Sequence, residues 1–343
     1  MSAQVVAPET LDGEATRLFN LPGEELQQAA WQARHAHHPP ELYFAVPGAK
    51  RYETDHYRNT RWRFASISLT GRSCELQCDH CRGRMLERML PAPDPDALLT
   101  HAQRLLERGC EGVLISGGCD LDGVVPVRPY LPAIARVRSM GLRVIVHTGL
   151  LDRETVEGLK SAGVDQVLLD IVGDEATIRR ILHLERTPAD YEHALALVRE
   201  AGIPVAPHVI AGLNYGELRG ELNALEIIRR QGADVVVIVV LRPLPHTPLA
   251  RTPVVAAEAV GRLVAVARLL FPATPLTLGC ARPPAPSKAE IERLAVLAGV
   301  NSLAYPDPTT INLAGALGLC TSFVESCCTL AATSQSQNGA RCR

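Results

Sequence analysis

The sequence lacks an excess of charge of either sign: 35 Lys and Arg stand against 37 Asp and Glu, a formal net charge of -2. A chain so balanced has no bulk electrostatic pull toward nucleic acid or an anionic membrane, and no local basic run supplies one. Long apolar runs are missing too. The longest strand-like run, Val235 to Leu241, is far short of a membrane span, and the opening MSAQVVAPETLDGEAT has neither the basic start nor the apolar stretch of a signal peptide. These absences predict a cytoplasmic protein with no nucleic-acid and no membrane partner. No cysteine precedes Cys74, although the chain holds ten. In a reducing compartment ten thiols do not make a disulfide framework, which leaves them for metal binding or catalysis.

Hydrophobic residues, at 47%, are enough for a sizeable core and exclude a disordered or fibrous chain. Residues 1–60 are polar and proline-marked, with one helix expected near Glu24 to His37, ended by Pro39 and Pro40. From Phe64 onward short β-branched runs alternate with amphipathic stretches. The strand candidates are Phe64 to Thr70, Gly112 to Gly117, Arg143 to Thr148, Gln166 to Val172, Val205 to Ala211, Asp234 to Leu241, Leu276 to Gly279 and Ser302 to Ala304. Helix candidates lie between them, the first opened by Asp94 and Pro95, and glycines at 109, 141, 163, 202, 232 and 299 stand at expected helix ends.

Eight βα units predict an α/β fold, a parallel (β/α)8 TIM-type barrel, full or partly open. Closure is favoured because the first and last strands can then pair. The expected layout is an N-terminal helical extension (1–60), the barrel (61–306), a C-terminal capping segment (307–330) with Cys320, Cys327 and Cys328, and a disordered tail (331–343).

The chemistry concentrates after the first predicted strand, where Cys74-Glu-Leu-Gln-Cys78-Asp-His-Cys81 forms a CxxxCxxC triplet. In a βα barrel that loop lies on the active face. Three thiolates at this spacing can each bind one iron of a 4Fe-4S cluster and leave the fourth iron open. The alternative is a structural zinc with His80 as fourth ligand. Among the other cysteines, Cys110 and Cys342 read as ordinary thiols. Cys119 and Cys280 each follow a strand end and should face the barrel mouth, and Cys327 and Cys328 are adjacent near the C-terminus. Cys119, Cys280, Cys327 and Cys328 are therefore a candidate set for a second cluster, with Cys320 in reserve. Arg282 can offer its guanidinium to cluster sulfide or substrate. His147, Asp170 and His208 lie on predicted strands and read as core polar residues satisfied by hydrogen bonds.

The triplet, with Ser116-Gly117-Gly118 at the end of strand two, resembles the radical S-adenosylmethionine (SAM) superfamily. His208-Val-Ile-Ala-Gly212-Leu-Asn214 and Leu241-Arg-Pro-Leu-Pro-His-Thr-Pro-Leu249 resemble the cofactor-facing segments of its biotin-synthase-like members. Two positions depart from the pattern: His80 stands where an aromatic residue is common, and Cys119 where an acidic one often follows the glycines. The resemblance implies that Cys74, Cys78 and Cys81 hold a SAM-binding 4Fe-4S cluster. It also implies that Ser116, Gly117, Gly118, Gly212 and Asn214 contact SAM, and that a low-potential electron yields a 5'-deoxyadenosyl radical.

A narrower likeness is to one subunit of the two-protein lipoyl synthase. It is carried by Lys50-Arg-Tyr-Glu-Thr, Thr70-Gly-Arg, Cys78-Asp-His-Cys-Arg-Gly-Arg84, Ser116-Gly-Gly-Cys-Asp120, Gly279-Cys-Ala-Arg-Pro283 and Cys327-Cys328. The N-terminal three-cysteine motif of single-chain lipoyl synthase is absent, as is its terminal serine signature. This likeness implies sulfur insertion at C6 or C8 of an octanoyl chain on a lipoyl carrier domain, with Cys119 and Arg282 in catalytic roles and an auxiliary 4Fe-4S cluster as sulfur donor. Its partners would be a companion radical SAM subunit and an electron donor such as ferredoxin or flavodoxin. The alternatives are a radical SAM enzyme of cofactor maturation or biosynthesis without sulfur insertion, and a non-enzymatic metal-binding protein.

Overall fold

The structure, a computed structural model, describes residues 13–333. Twelve helices and eleven strands follow one another along this stretch. They are α1 (Glu14–Phe19), α2 (Gly23–His37), β1 (Glu41–Ala45), β2 (Phe64–Ser68), β3 (Leu90–Pro91), α3 (Pro95–Glu107), β4 (Gly112–Ser116), α4 (Leu131–Ser139), β5 (Arg143–Thr148), α5 (Arg153–Ala162), β6 (Gln166–Asp170) and α6 (Glu175–Ile181). Next come α7 (Pro188–Glu200), β7 (Val205–Ala211), α8 (Glu221–Gln231), β8 (Val236–Val240), α9 (Ala257–Leu270), β9 (Leu276–Leu278), α10 (Ser287–Leu297), β10 (Ser302–Ala304), α11 (Pro308–Ala316), β11 (Cys320–Val324) and α12 (Cys328–Thr333). Each of the eight expected strands has its counterpart, β2 and β4 to β10.

Local chemistry sets the rhythm. Asp94 accepts from the Ala97 amide at 2.7 Å and Pro95 opens α3, which satisfies one of the amide groups a helix start leaves free. All six glycines expected at helix ends take positive φ, between 70° and 98°, the conformation that turns the chain back toward the sheet.

All pairings are parallel, in the order β11-β1-β10-β9-β8-β7-β6-β5-β4-β2-β3. The sheet curls without closing. The expected pairing of the first and last barrel strands does not form, because β10 takes β1 as its outer neighbour and β11 lies beyond that. The N-terminal extension thus supplies a strand to the barrel sheet. The C-terminal segment supplies another, and does not only cap the mouth. The expected tail begins inside α12, whose Ala331 is fully buried, while residues 334–343, including Cys342, lie outside the described residues.

Two apolar layers result. The larger lies between the outer face of the sheet and its helices. The smaller fills the barrel lumen, where Phe64, Ile145, Leu168, Val237 and Val239 meet Leu330 of α12. Ser302 Oγ donates to the Cys328 carbonyl at 3.1 Å and fixes α12 against β10.

At the opposite end of the barrel two arginines are fully buried. Arg34 donates to the carbonyls of Pro39 and Glu41 at 2.8 and 2.6 Å. Arg268 donates to those of Phe271, Thr274 and Gly299, and to Asn301 Oδ1, whose oxygen also accepts from the Leu276 amide at 2.9 Å. Arg268 therefore ties the entries of β9 and β10 together. Arg268→Leu leaves several buried carbonyls unpaired and should lower stability to urea by about 3 kcal/mol or more; loss of under about 1 kcal/mol would show that the clamp is dispensable.

Candidate functional site

β2 ends at Ser68, and two short turns deliver the cysteine loop: Ser68 Oγ donates to the Gly71 carbonyl and Thr70 Oγ1 to that of Ser73, both at 2.7 Å. The neighbouring strand end receives the loop. The Gly118 amide donates to Thr70 Oγ1 at 2.7 Å, and the Cys119 carbonyl accepts from the amides of Glu75 and Leu76 at 2.8 and 3.3 Å. A Cβ at 118 would collide with the Ser73 carbonyl and with Cys74, so only glycine allows this approach. The far side of the loop is pinned by Asp79, which sequence reading passed over. Its amide donates to the Ile181 carbonyl at 2.8 Å, and its carboxylate lies 2.9 Å from His183 Nε2 and 3.1 Å from Arg82.

Cys78 is buried, with Cys74 and Cys81 partly so. Burial first, then the nearby sulfurs of Cys81 and Cys74, drives the Cys78 thiol well above its ordinary pKa, and Cys81 is pushed up to about 11. Burial thus disfavours the bare thiolates of Cys78 and Cys81, whereas metal binding expels the protons. The convergent sulfurs fit iron-sulfur ligation. Cys119 joins this group: burial and then Cys74 and Asp170 push its thiol up to about 12. His80 contributes a ring whose Nδ1 is buried with no partner among the described residues, and burial lowers its pKa.

A second thiol group lies elsewhere on the mouth. Cys280 follows the end of β9, open to solvent, and Cys327 and Cys328 enter α12. The three bear on one another: Cys327 raises the pKa of Cys280 after burial does, and the adjacent Cys327 and Cys328 thiols shift each other in opposite senses, the first down and the second up. Thr329 Oγ1 donates to Cys327 Sγ at 3.4 Å. The candidate set of four is therefore divided, with Cys119 beside the triplet. Cys320 starts the edge strand β11, in register with Glu41, at the opposite end of the sheet from these thiols. Arg282 is also differently employed. It pairs with Glu292 at 2.7 Å and donates to the carbonyls of Gly279 and Ala304. Its terminal nitrogens brace the ends of β9 and β10, which makes it a positioning residue.

Residues 68–225 match the Radical SAM superfamily model. Over that stretch the chain is similar to radical SAM proteins. It is similar to curated biotin synthases, with 27% identity to that of Rhizobium rhizogenes over 309 residues, 86% of each chain, and 28% to that of an Azoarcus strain over 327 residues, 89% of this chain and 92% of the other. Among solved structures it resembles HydG, a maturase of the [FeFe]-hydrogenase, with a TM-score of 0.64, 16% identity, and coverage of 90% of this chain and 72% of that one. Methylornithine synthase (PylB) follows with a TM-score of 0.60, 15% identity, and coverage of 92% and 95%. Those two likenesses describe the fold. The likeness to the Radical SAM superfamily model implies a 4Fe-4S cluster and SAM, and the Cys74, Cys78 and Cys81 donor set suits the cluster. Among the described residues no helix is long and apolar enough to cross a membrane.

The residues expected at SAM lie at the C-terminal ends of β4 and β7. Ser116 ends β4 and donates to the His147 carbonyl at 2.9 Å, while Gly117 packs against Thr70 and Val125. Gly212 has φ +77° and its amide donates to Glu221 Oε1 at 2.7 Å. Asn214 is buried in a pocket shared with Ile171, Asp174, Ile210 and Glu221. Glu221 escaped sequence reading because it begins a helix and looks like an ordinary N-terminal acid.

His147, Asp170 and His208 converge in the lumen, each offering one atom within 4.8 Å of the others. His147 Nε2 is 3.5 Å from Asp170 Oδ1, and the two imidazoles stack at 5.0 Å. Burial opposes charge on Asp170, but the His147 hydrogen bond and attraction outweigh it and hold the carboxyl below its usual range. Burial and then repulsion by His147 lower His208 to about 4.

Two outcomes follow from this geometry. Gly118→Ala should lose most of its iron and visible absorbance after reconstitution while keeping its far-ultraviolet spectrum; full cluster loading would refute the close-approach argument. His208 stays neutral in the fold down to pH about 4, whereas the unfolded chain takes up a proton near the ordinary histidine value of 6.5. Its contribution to stability is therefore present above pH 6.5 and lost as pH falls toward 4. His208→Gln should flatten the acid limb of a urea-stability profile across that window, a term of at most about 3 kcal/mol.

Proposed function

We propose that this chain is a radical SAM sulfur-insertion enzyme, one subunit of a two-protein lipoyl synthase acting at C6 or C8 of an octanoyl chain on a lipoyl carrier domain. The observation that carries this reading is the second thiol group, Cys280 with Cys327 and Cys328, apart from the triplet that the superfamily uses for SAM. Three sulfurs on one side of the mouth suit an auxiliary iron-sulfur cluster. Kinship with biotin synthases supports the same direction, since biotin is itself a sulfur-containing product.

When bound, the first cluster with SAM supplies a 5'-deoxyadenosyl radical, and an auxiliary cluster supplies sulfur. The chain's own task is to present one C-H bond to that radical and to exclude other hydrogen donors. Val237, Val239 and Ile210, with Leu330 of α12, give the lumen an apolar wall suited to an alkyl chain. Gly118 and Asp79 hold the cysteine loop still. The companion subunit would make the other insertion, with ferredoxin or flavodoxin as electron donor.

The test is anaerobic reconstitution with SAM, dithionite and an octanoyl-lysine carrier peptide, with and without the companion, read by mass spectrometry and iron content. Wild type should bind about eight irons and yield thiolated peptide. Cys74→Ala should abolish SAM cleavage. Cys280→Ala combined with Cys327→Ala should retain cleavage, fall to about four irons and form no thiolated product. Thiolation surviving in that double variant would overturn the auxiliary-ligand assignment.

A further inference from the structure

The chain has only three lysines, at 50, 160 and 288, and two of them stand beside the second thiol group. Lys50 Nζ lies 5.0 Å over the Tyr305 ring, whose hydroxyl donates to the Pro47 carbonyl at 2.8 Å. Lys288, in the first turn of α10, reaches Glu292 at 3.5 Å. The same carboxylate oxygen holds Arg282 at 2.7 Å. The other oxygen accepts from the Asp307 amide and the Thr310 hydroxyl at 2.7 and 2.8 Å, so one carboxylate serves two cations.

Asp307, the remaining acid nearby, spends its side chain capping α11 through Thr309. Arg242 emerges two residues beyond the end of β8, the strand next to β9 and Cys280. Neither Lys50 nor Arg242 has an ion pair or side-chain hydrogen bond among the described residues. Burial, then Lys288, Arg242 and Arg282, depress the Lys50 ammonium below its ordinary range. Cys280 acts on Lys50 in the opposite sense, but the cations here outnumber the carboxylates beside them, and such crowding carries an electrostatic cost that a bound anion lowers. Beneath them the lumen wall is apolar, with Val237, Val239, Ala281 and Leu330.

We propose that Lys50 and Arg242, assisted by Lys288, bind a carboxylate that sits at the outer end of an apolar substrate chain lodged in the lumen. The inference rests on the sulfur-insertion reading for the identity of the chain, and on the cation group for its charge. The carboxylate has two chemical sources: the acid group of a free medium-chain fatty acid, or an acidic side chain flanking the acylated lysine of a carrier.

Fluorescence anisotropy with labelled octanoyl-lysine peptides separates them. One peptide has Glu on both sides of the lysine, the other Gln. Octanoate and octanamide serve as competitors. Wild type should prefer an anionic probe over its neutral counterpart by about tenfold, with the preference shrinking as salt rises. Lys50→Gln with Arg242→Gln should reduce that ratio to about one, and Lys160→Gln, on the outer face of α5, should leave it unchanged. Preference for the Glu peptide assigns the anion to the carrier; displacement by octanoate but not octanamide assigns it to a free acid. Equal binding of charged and neutral probes by wild type, or an unchanged ratio in the double variant, overturns the site. A parallel thiolation assay keeps the two readings apart. Thiolation of the Gln peptide without charge preference removes the anion site and leaves sulfur insertion. Charge preference without thiolation does the reverse.

Discussion

The approach of Gly118 to Ser73 and Cys74 is the contact on which the mouth of this barrel depends. It lets the end of β4 lie directly under the cysteine loop, so that the Cys119 carbonyl can take two loop amides at once. Those bonds orient Cys74 toward Cys78 and Cys81, and the Asp79 attachments to α6 close the other side. Because every strand of the sheet is parallel, all the loops that leave strand C-termini meet at this one end. A displacement at Gly118 would therefore reach Cys74 first, while Cys78 is held separately from the α6 side through Asp79 and the Leu182 carbonyl.

The open sheet has a different consequence. A closed eight-strand barrel fills its lumen with its own side chains. Here β10 turns outward to β1, and the gap admits α12, which carries Leu330 into the lumen and brings Cys327 and Cys328 to the mouth beside Cys280. The C-terminal segment is thus both packing material and the source of two of the three thiols in the second group. Its attachment depends on the N-terminal strand β1, which packs against α12 as well as β10 and β11. The two ends of the chain, far apart in sequence, cooperate to shape one face of the site.

Much of this was legible in the sequence. The βα rhythm, the glycine helix ends and the CxxxCxxC loop rest on local signals, and the structure has all eight strands and the convergent triplet. What was not legible depends on long-range pairing. β1 (Glu-Leu-Tyr-Phe-Ala) alternates in burial but is only five residues in a proline-marked stretch, and β11 is partly exposed along its whole length, so the first is too short to stand out and the second lacks the alternation that marks a half-buried strand. Their pairing is what leaves the barrel open. The same limit divided the four candidate cysteines, because Cys119 and Cys280 both follow strand ends but those strands lie on opposite sides of the curl. His147, Asp170 and His208 looked like isolated polar residues until their inward register on β5, β6 and β7 brought them together.

The two thiol groups differ most in their electrostatic surroundings. Around the first, Asp170 bears on Cys81 and Cys119, and Asp120 adds to it at Cys119; each carboxylate raises the thiol pKa further after burial has done so. Around the second, Arg282 and Lys50 act on Cys280 in the opposite sense. Negative charge beside an iron-sulfur centre disfavours an added electron and positive charge favours it, so surroundings of opposite sign separate the potentials of otherwise similar clusters. A centre at Cys74, Cys78 and Cys81 is thereby biased toward strong reducing power, which splitting a sulfonium demands. One at Cys280, Cys327 and Cys328, where the proposed auxiliary cluster would sit, would be biased toward holding electrons. Such a division would be set by Asp170 at the end of β6, Asp120 after β4, Arg282 after β9 and Lys50 in the β1–β2 connection, with no difference in the sulfur ligands themselves.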